Sequence, residues 1–570
     1  MRPPPAARAP GLLRDSTGVG FAALFFCLSL TPSLLPRNWI TAGVIGGVNA
    51  AIGYGVGVVT GVAVRALILR GRTWWPPSRR VRLGLQSGTV IAAIASAVAM
   101  LVPAAAWQAD VAELMGVTRP EPLGYLRSLP VAIITAAALI GLARVVRDAI
   151  RLLARAMIRR WRIDDEVAMF VGTAIVVAVV ITVINGVLFR GFVAAASAAF
   201  QTQNSRTTAA VSQPRLPERS GSPASFVPWD SLGLQGRTFV ATGPDADELT
   251  ALSGRPAKRP IRIYAGLQSG ETTASRVALL LSELQRTRAY ERRLLVVIPT
   301  TGTGWVDPVA ARAIESVYNG DTALVAMQYS YLPSWISFLT DRSKSIEAGR
   351  AMIDAVQQRW SQWPPQTRPR LALYGESLGA MAGQGAFGYL PDVAGKGFSS
   401  VLWVGPPNVS ELWRTLTRRR DPGTPEVQPR YDDGRTVRFA QSASSAEIAS
   451  VAAPLWPGTR VLFLQHASDP VVWWSLDLLL KRPDWLSEPP GFDRTPSMRW
   501  YPVVTFLQVT ADMAGSVTAG TPPGHGHNYG DRQLDGWVAV AAPEGWTVTD
   551  TERVRGGLRD AMAAGGPEFA

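Results

Sequence analysis

The chain has one cysteine, Cys27, and it lies inside an apolar run. A single cysteine can build neither a disulfide framework nor a thiolate metal site, and its scarcity permits a reducing or an oxidising compartment. Histidine is nearly as rare, with three in 570 residues, so chemistry that needs imidazole has few places to sit. The long apolar runs contain no interior Asp or Glu. Proton relays and ion-coupled pathways usually require one, which disfavours a transporter. What is present is sharply divided. Residues 1–201 hold nearly all the long apolar runs and 20 Arg against 8 acidic groups, whereas 202–570 have soluble composition with 37 basic and 35 acidic groups. Of the net charge of +14, +12 therefore falls in residues 1–201, between apolar runs, where cytoplasmic membrane loops place it, and a nucleic-acid partner is rejected.

Residues 1–17, rich in Pro and Arg, read as a disordered N-terminus. Apolar runs follow at 18–35, 41–64, 85–107, 129–146 and 167–189. The first would be about 27 Å long as a helix, just enough to cross a bilayer core. It is longer than a signal-peptide core, and it ends in Pro32-Ser-Leu-Leu-Pro-Arg37 without a small-residue cleavage pattern. A retained span is therefore preferred. Gly46, Gly47, Gly53, Gly55, Gly57 and Gly61 in the second run suit helices in close approach within lipid. Five spans are expected, with four as the rival because Arg144 and Arg147 intrude on the fourth run. Arginine is dense before the first run (Arg2, Arg8, Arg14), after the second (Arg65, Arg70, Arg72, Arg79, Arg80, Arg82) and from Arg144 to Arg162. The positive-inside rule puts those segments in the cytoplasm. The expectation is a multi-pass plasma-membrane protein with a helical transmembrane domain at 18–195. A Ser-, Thr- and Pro-rich linker follows at 196–228, then an extracytoplasmic catalytic domain at 229–570.

In that last part, short apolar strands alternate with amphipathic helical stretches, the pattern of an α/β sheet with crossover helices. Ile261-Arg-Ile-Tyr264, Leu294-Leu-Val-Val-Ile-Pro299, Ala323-Leu-Val-Ala-Met-Gln328, Ser400-Val-Leu-Trp-Val404, Arg460-Val-Leu-Phe-Leu-Gln465 and Trp500-Tyr-Pro-Val-Val-Thr-Phe-Leu507 read as strands. About forty polar residues around 410–450 form an insertion. The chemistry centres on Leu371-Ala-Leu-Tyr-Gly-Glu-Ser-Leu-Gly-Ala380. In a chain with 53 glycines a bare G-x-S-x-G is weak, but here a strand precedes it and a helix follows, as a nucleophile elbow requires. Ser377 would be the nucleophile. Gly375 and Gly379 would spare the neighbouring elements a side chain at a strained turn. Thr300-Thr-Gly-Thr-Gly-Trp305 follows an early strand, so Thr301 or Gly302 would supply one oxyanion-hole amide and Leu378 the other.

Asp469, just past the strand at 460–465, is the candidate acid, although Asp-Pro also reads as a turn. His525 and His527 in Pro522-Pro-Gly-His-Gly-His-Asn-Tyr-Gly530 are the candidate bases. Both follow a glycine, so the choice stays open with His527 preferred. A metal site using these histidines with Asp469 or Asp531 lacks any supporting cluster, and no metal or cofactor is expected. The order Ser377, Asp469, His527 is that of α/β-hydrolases rather than of chymotrypsin or subtilisin.

With these residues in view the chain resembles actinobacterial membrane-anchored α/β-hydrolases that carry a dedicated N-terminal transmembrane domain. The matching segments are Ser29-Leu-Thr-Pro-Ser-Leu-Leu-Pro-Arg37, Pro299-Thr-Thr-Gly-Thr-Gly-Trp305, Tyr374-Gly-Glu-Ser-Leu-Gly379 and Gly524-His-Gly-His-Asn-Tyr529. The resemblance implies a serine-hydrolase domain and brings no assigned substrate. Preference for Arg over Lys fits a high-GC source. The function expected is an esterase- or lipase-like acyl hydrolase that works at a lipid bilayer on an ester or lipid-like substrate. Trp335, Trp403, Trp473 and Trp474 would form an acyl pocket or simply core. The alternatives are an acyltransferase on the same triad and a silent hydrolase-like domain for envelope binding or assembly.

Overall fold

The computed structural model describes residues 16–68, 78–441, 456–516 and 521–569. Residues 1–15 of the expected disordered segment 1–17 and 442–450 of the expected insertion lie outside the described residues, whereas Ser16 and Thr17 open a helix. The chain divides into two compact units. One comprises residues up to Arg190 together with Leu476–Leu486 and Arg494–Gly515; the other holds the remainder.

The first unit is helical: Ser16–Ser29, Trp39–Ile68, Arg79–Leu114, Ser128–Trp161 and Asp165–Ile181, the last continuing through a π-helical stretch, Thr182–Phe189. Among the described residues four helices are long and apolar enough to cross a membrane: Trp39–Val64, Leu83–Leu114, Gly124–Trp161 and Asp165–Asn204. The expected fifth, at 18–35, is not among them. Its helix stops at Ser29 after 14 residues, about 21 Å against the 30 Å of a bilayer core. The cause is local. Pro32 pushes Thr31 away from helical geometry, and the Ser29 and Thr31 hydroxyls donate to the Phe26 and Leu28 carbonyls, at 2.7 and 2.6 Å.

Glycine sets the helix spacing. A Cβ on Gly53 or Gly57 would lie 2.5 Å from the carbonyl oxygens of Phe21 and Thr17, and one on Gly47 would lie 2.6 Å from that of Ala132. Helix Trp39–Ile68 is thus wedged between Ser16–Ser29 and Ser128–Trp161 by backbone contact.

A second correction concerns 500–507. The run Val503-Val-Thr-Phe-Leu507 has strand-like composition, yet Val503 is a turn residue with φ 65° and Val504 opens helix Val504–Ser516. Val504, Thr505, Gln508, Val509 and Asp512 are its buried positions, a helical spacing. This helix belongs to the first unit. Asp512 Oδ1 accepts from Arg37 Nε at 2.8 Å, and its Oδ2 accepts from Leu34 N at 3.0 Å and from the Ser33 hydroxyl. Arg37 Nη2 donates to Gln508 O at 2.9 Å, and Gln508 Nε2 to Thr31 O at 2.9 Å. The proline-broken segment at 30–37 is therefore held by a buried polar network.

The second unit is built on a seven-stranded parallel sheet in the order β1-β3-β2-β4-β5-β7-β6. Its strands are β1 Ile261–Ala265, β2 Leu294–Pro299, β3 Thr322–Met327, β4 Arg370–Glu376, β5 Phe398–Val404, β6 Val437–Ala440 and β7 Arg460–Leu464. Near-continuous apolar runs suit strands covered on both faces. Leu294, Val296 and Ile298 pack with Ala310, Ile314, Leu534 and Trp537 in one core cluster. Strand β6 and helix Glu411–Arg418 emerge from the expected polar insertion.

The expected linker is folded too. Helix Arg190–Asn204 occupies its start, and beyond it Ser220 N donates to Arg262 O at 3.1 Å while Arg262 N donates to Glu218 O at 3.2 Å. The buried Glu283 carboxylate accepts from Ser220 Oγ, Ser225 Oγ and Phe226 N at 2.8–3.0 Å. Serines that resemble loop composition are donors for one buried charge.

Candidate active site

Ser377 joins β4 to helix Leu378–Gln384 with φ 53° and ψ −124°. A non-glycine residue held there costs roughly 1–3 kcal/mol. The Ser377 amide donates to Val404 O of β5 at 2.9 Å, which fixes the turn. Neither flanking glycine tolerates a side chain. A Cβ on Gly375 would lie 2.6 Å from Gly379 O, and one on Gly379 would lie 2.3 Å from Pro299 O at the end of β2. The loop after β2 is thereby brought against the elbow. Within that loop the Thr301 amide donates to Trp305 O at 3.3 Å. The Gly302 and Leu378 amides have no intramolecular acceptor among the described residues.

Asp469 lies past the end of β7 and is fully buried. It is both a turn residue and a pairing acid. Its Oδ1 accepts from Val471 N at 2.8 Å, capping the turn Pro470–Trp473, while Oδ2 accepts from His527 Nδ1 and from the Tyr529 hydroxyl, each at 2.7 Å. This settles which histidine meets the acid. Gly405, at φ +50°, makes room for the ring: a Cβ there would sit 2.7 Å from His527 Cε1. Ser377 and His527 thus both lie against the Val404–Gly405 segment. Ser377 Oγ makes no hydrogen bond to the imidazole among the described residues; such contacts often tighten only in the reacting complex. Burial alone would push the His527 imidazole down, but the Asp469 charge and hydrogen bond outweigh it and hold it above its ordinary value.

His525 is placed differently. Its Nδ1 is 3.5 Å from Asp493 Oδ2, and Asp493 accepts from Ser468 N at 3.0 Å and from the Ser468 hydroxyl. Ser468 Oγ in turn accepts from Gly526 N at 2.8 Å. His466 Nδ1 donates to Gly526 O at 2.8 Å, and its ring stacks on Tyr529 at 4.1 Å. These groups clamp the loop that carries His527. Among the described residues no three His, Cys, Asp or Glu side chains converge as metal ligands.

Sequence reasoning missed Tyr529, His466 and Asp493, which the fold alone brings to this loop. It also passed over Glu376, the unconstrained position of the elbow motif. Glu376 is buried, with Oε2 2.8 Å from the Tyr374 hydroxyl, which itself lies 2.6 Å from Gln533 Oε1. Burial, and then the neighbouring Asp307 carboxyl, push its pKa up to about 8. Asp307, pushed up to about 6 by burial, caps helix Pro308–Val317 through Ala310 N at 2.7 Å. Of the four tryptophans, Trp403 and Trp473 are buried core, Trp474 is half-buried and Trp335 is exposed.

A parallel, helix-covered sheet with a strained serine after its central strand and a histidine paired with a buried aspartate beyond later strands is the architecture of an α/β-hydrolase. The sequence matches two family descriptions accordingly: the alpha/beta-hydrolase family over residues 261–554, and the alpha/beta-hydrolase family N-terminus over residues 30–244. The chain belongs to this alpha/beta-hydrolase family, whose members carry a distinct N-terminal region. No curated protein matches it.

Proposed function

We propose that the protein is a membrane-anchored serine hydrolase, an esterase- or lipase-like acyl hydrolase with Ser377, Asp469 and His527 as its triad. The observation that carries this reading is the 2.7 Å pairing of His527 Nδ1 with buried Asp469 on a loop beside the elbow serine. Asp469 fixes the tautomer that leaves Nε2 free to take the Ser377 proton, and it stabilises the imidazolium that forms. Ser377 Oγ then attacks the ester carbonyl. The Leu378 and Gly302 amides would hold the resulting oxyanion, an interaction worth roughly 3–4 kcal/mol per donor. The alcohol leaves with the proton from His527, and water releases the acyl group by the same steps in reverse. Four apolar helices support the anchor.

Fluorophosphonate labelling of the purified protein tests this reading. Wild type should label and Ser377→Ala should not. The labelling rate should fall as pH drops through the raised pKa of His527, because only the neutral imidazole accepts the proton. A folded wild type that fails to label would overturn the reading.

A further inference from the structure

The seven-residue helix Ser334–Thr340 follows β3 and begins where the chain presses on the candidate oxyanion loop: a Cβ on Gly302 would lie 2.3 Å from Leu332 O. Its two sides differ in kind. Ile336, Ser337 and Phe338 are buried. Phe338 packs with Leu378 and Met381 and meets Trp474 edge to face at 5.6 Å. Leu378 is the residue after the elbow serine, so this inner side borders the site. Trp335 and Leu339, four residues apart and hence on one side, are 43% and 53% exposed.

The Trp335 ring lies 6.4 Å from that of Phe192, itself 50% exposed. Phe192 belongs to helix Arg190–Asn204, the end of the candidate span Asp165–Asn204. That span has 40 residues, about 60 Å of helix and twice a bilayer core. Its uninterrupted apolar part, 167–189, stops at Arg190, the kind of cation that marks a membrane–water boundary. Phe192 is two residues further on, at the level where the amphipathic rings of Trp and Tyr concentrate. Trp335 lies beside it. One short helix therefore runs from an aromatic cluster at the expected lipid boundary to the neighbourhood of Ser377.

We infer that helix Ser334–Thr340 docks on the bilayer surface through Trp335 and Leu339 beside Phe192, and that the site draws its substrate from the bilayer, as a long-chain acyl ester of a membrane lipid. The acyl chain would lie along Phe338, Leu378 and Trp474, with its ester carbonyl at Ser377. This substrate class rests on the hydrolase reading of Ser377; the docking does not.

Two measurements on the full-length protein in phospholipid vesicles separate them. In the first, a nitroxide is attached to Trp335→Cys in a Cys27→Ser background, and its collisions with oxygen and with a water-soluble nickel chelate are compared. A nitroxide on Glu544→Cys serves as the aqueous control. Docking requires oxygen-favoured collisions at 335 and nickel-favoured ones at 544; equal nickel access at both overturns it. In the second, Ser377 is labelled by a hexadecyl fluorophosphonate carried in the vesicle and by a short water-soluble one. In the double variant Trp335→Glu/Leu339→Glu the ratio of long-chain to short-chain rates should drop at least tenfold. An unchanged ratio overturns delivery from the bilayer. A wild type that reacts with neither probe sinks the hydrolase reading and lipid delivery with it, while the nitroxide still decides the docking.

Discussion

Glu376 precedes the proposed nucleophile and is only 6% exposed, so little water shares its charge. Its folded pKa of about 8 stands above the ordinary carboxylate value of 4.5, so the native protein keeps a proton that the unfolded chain has already released. Stability therefore falls as pH rises between those values, by up to roughly 1.4 kcal/mol per pH unit for one proton. Glu376→Gln keeps the shape and removes the ionisation. The variant should gain stability relative to wild type from pH 5 to pH 8, read as diverging denaturation midpoints; parallel profiles would remove Glu376 from the account. The same residue shows what sequence leaves hidden at this scale. Ser377, Gly375 and Gly379 are legible because the motif's steric demands are local. The buried company of Glu376 (Tyr374, Gln533 and Asp307) comes from three separate segments. Likewise the choice between His525 and His527 depended on which aspartate each meets, and no spacing rule encodes that.

Among elements, helix Val504–Ser516 is the instructive case. Valine, threonine and phenylalanine in succession favour a strand, but that preference is weak beside the burial of one helical face. The parallel strands of the sheet were readable because burial on both faces makes them apolar throughout. The helix was not, because what it covers lies near the N-terminus. Its Asp512 has 0% side-chain exposure and Arg37 has 5%. Removing one partner of such a pair strands the other charge, at a cost of roughly 3–5 kcal/mol. Asp512→Ala should lower the stability of the detergent-solubilised protein by about that much. Arg37→Met with Asp512→Leu should recover much of the loss. Equal stability of wild type and the single variant would show that the pair contributes little.

For the whole molecule, the loss of the expected first span does not alter the side on which the α/β unit is expected to emerge. An arginine-rich segment still follows the first of the four long helices, and arginines from Arg144 to Arg160 fill the C-terminal half of the third, so the chain should leave the last of them on the outer side. In intact cells, with Cys27→Ser, a membrane-impermeant thiol reagent should modify Glu544→Cys directly and Asp164→Cys, in the turn between the third and fourth long helices, only after permeabilisation. The reverse pattern would turn the protein around.

The two-part composition was readable from charge and hydropathy, but the return of Arg494–Gly515 to the helical unit was not, since nothing local marks a segment for a distant partner. That return also sets a clock. Arg37 and Asp512 are 475 residues apart, and at ribosomal rates of about 5–20 residues per second roughly 25 to 95 s separate their synthesis. For that interval the nascent chain holds an unneutralised arginine next to its first membrane helices, and only near the end of translation does the counter-charge arrive. A prematurely terminated polypeptide lacks it altogether, and so offers quality-control machinery a mark that the finished protein conceals.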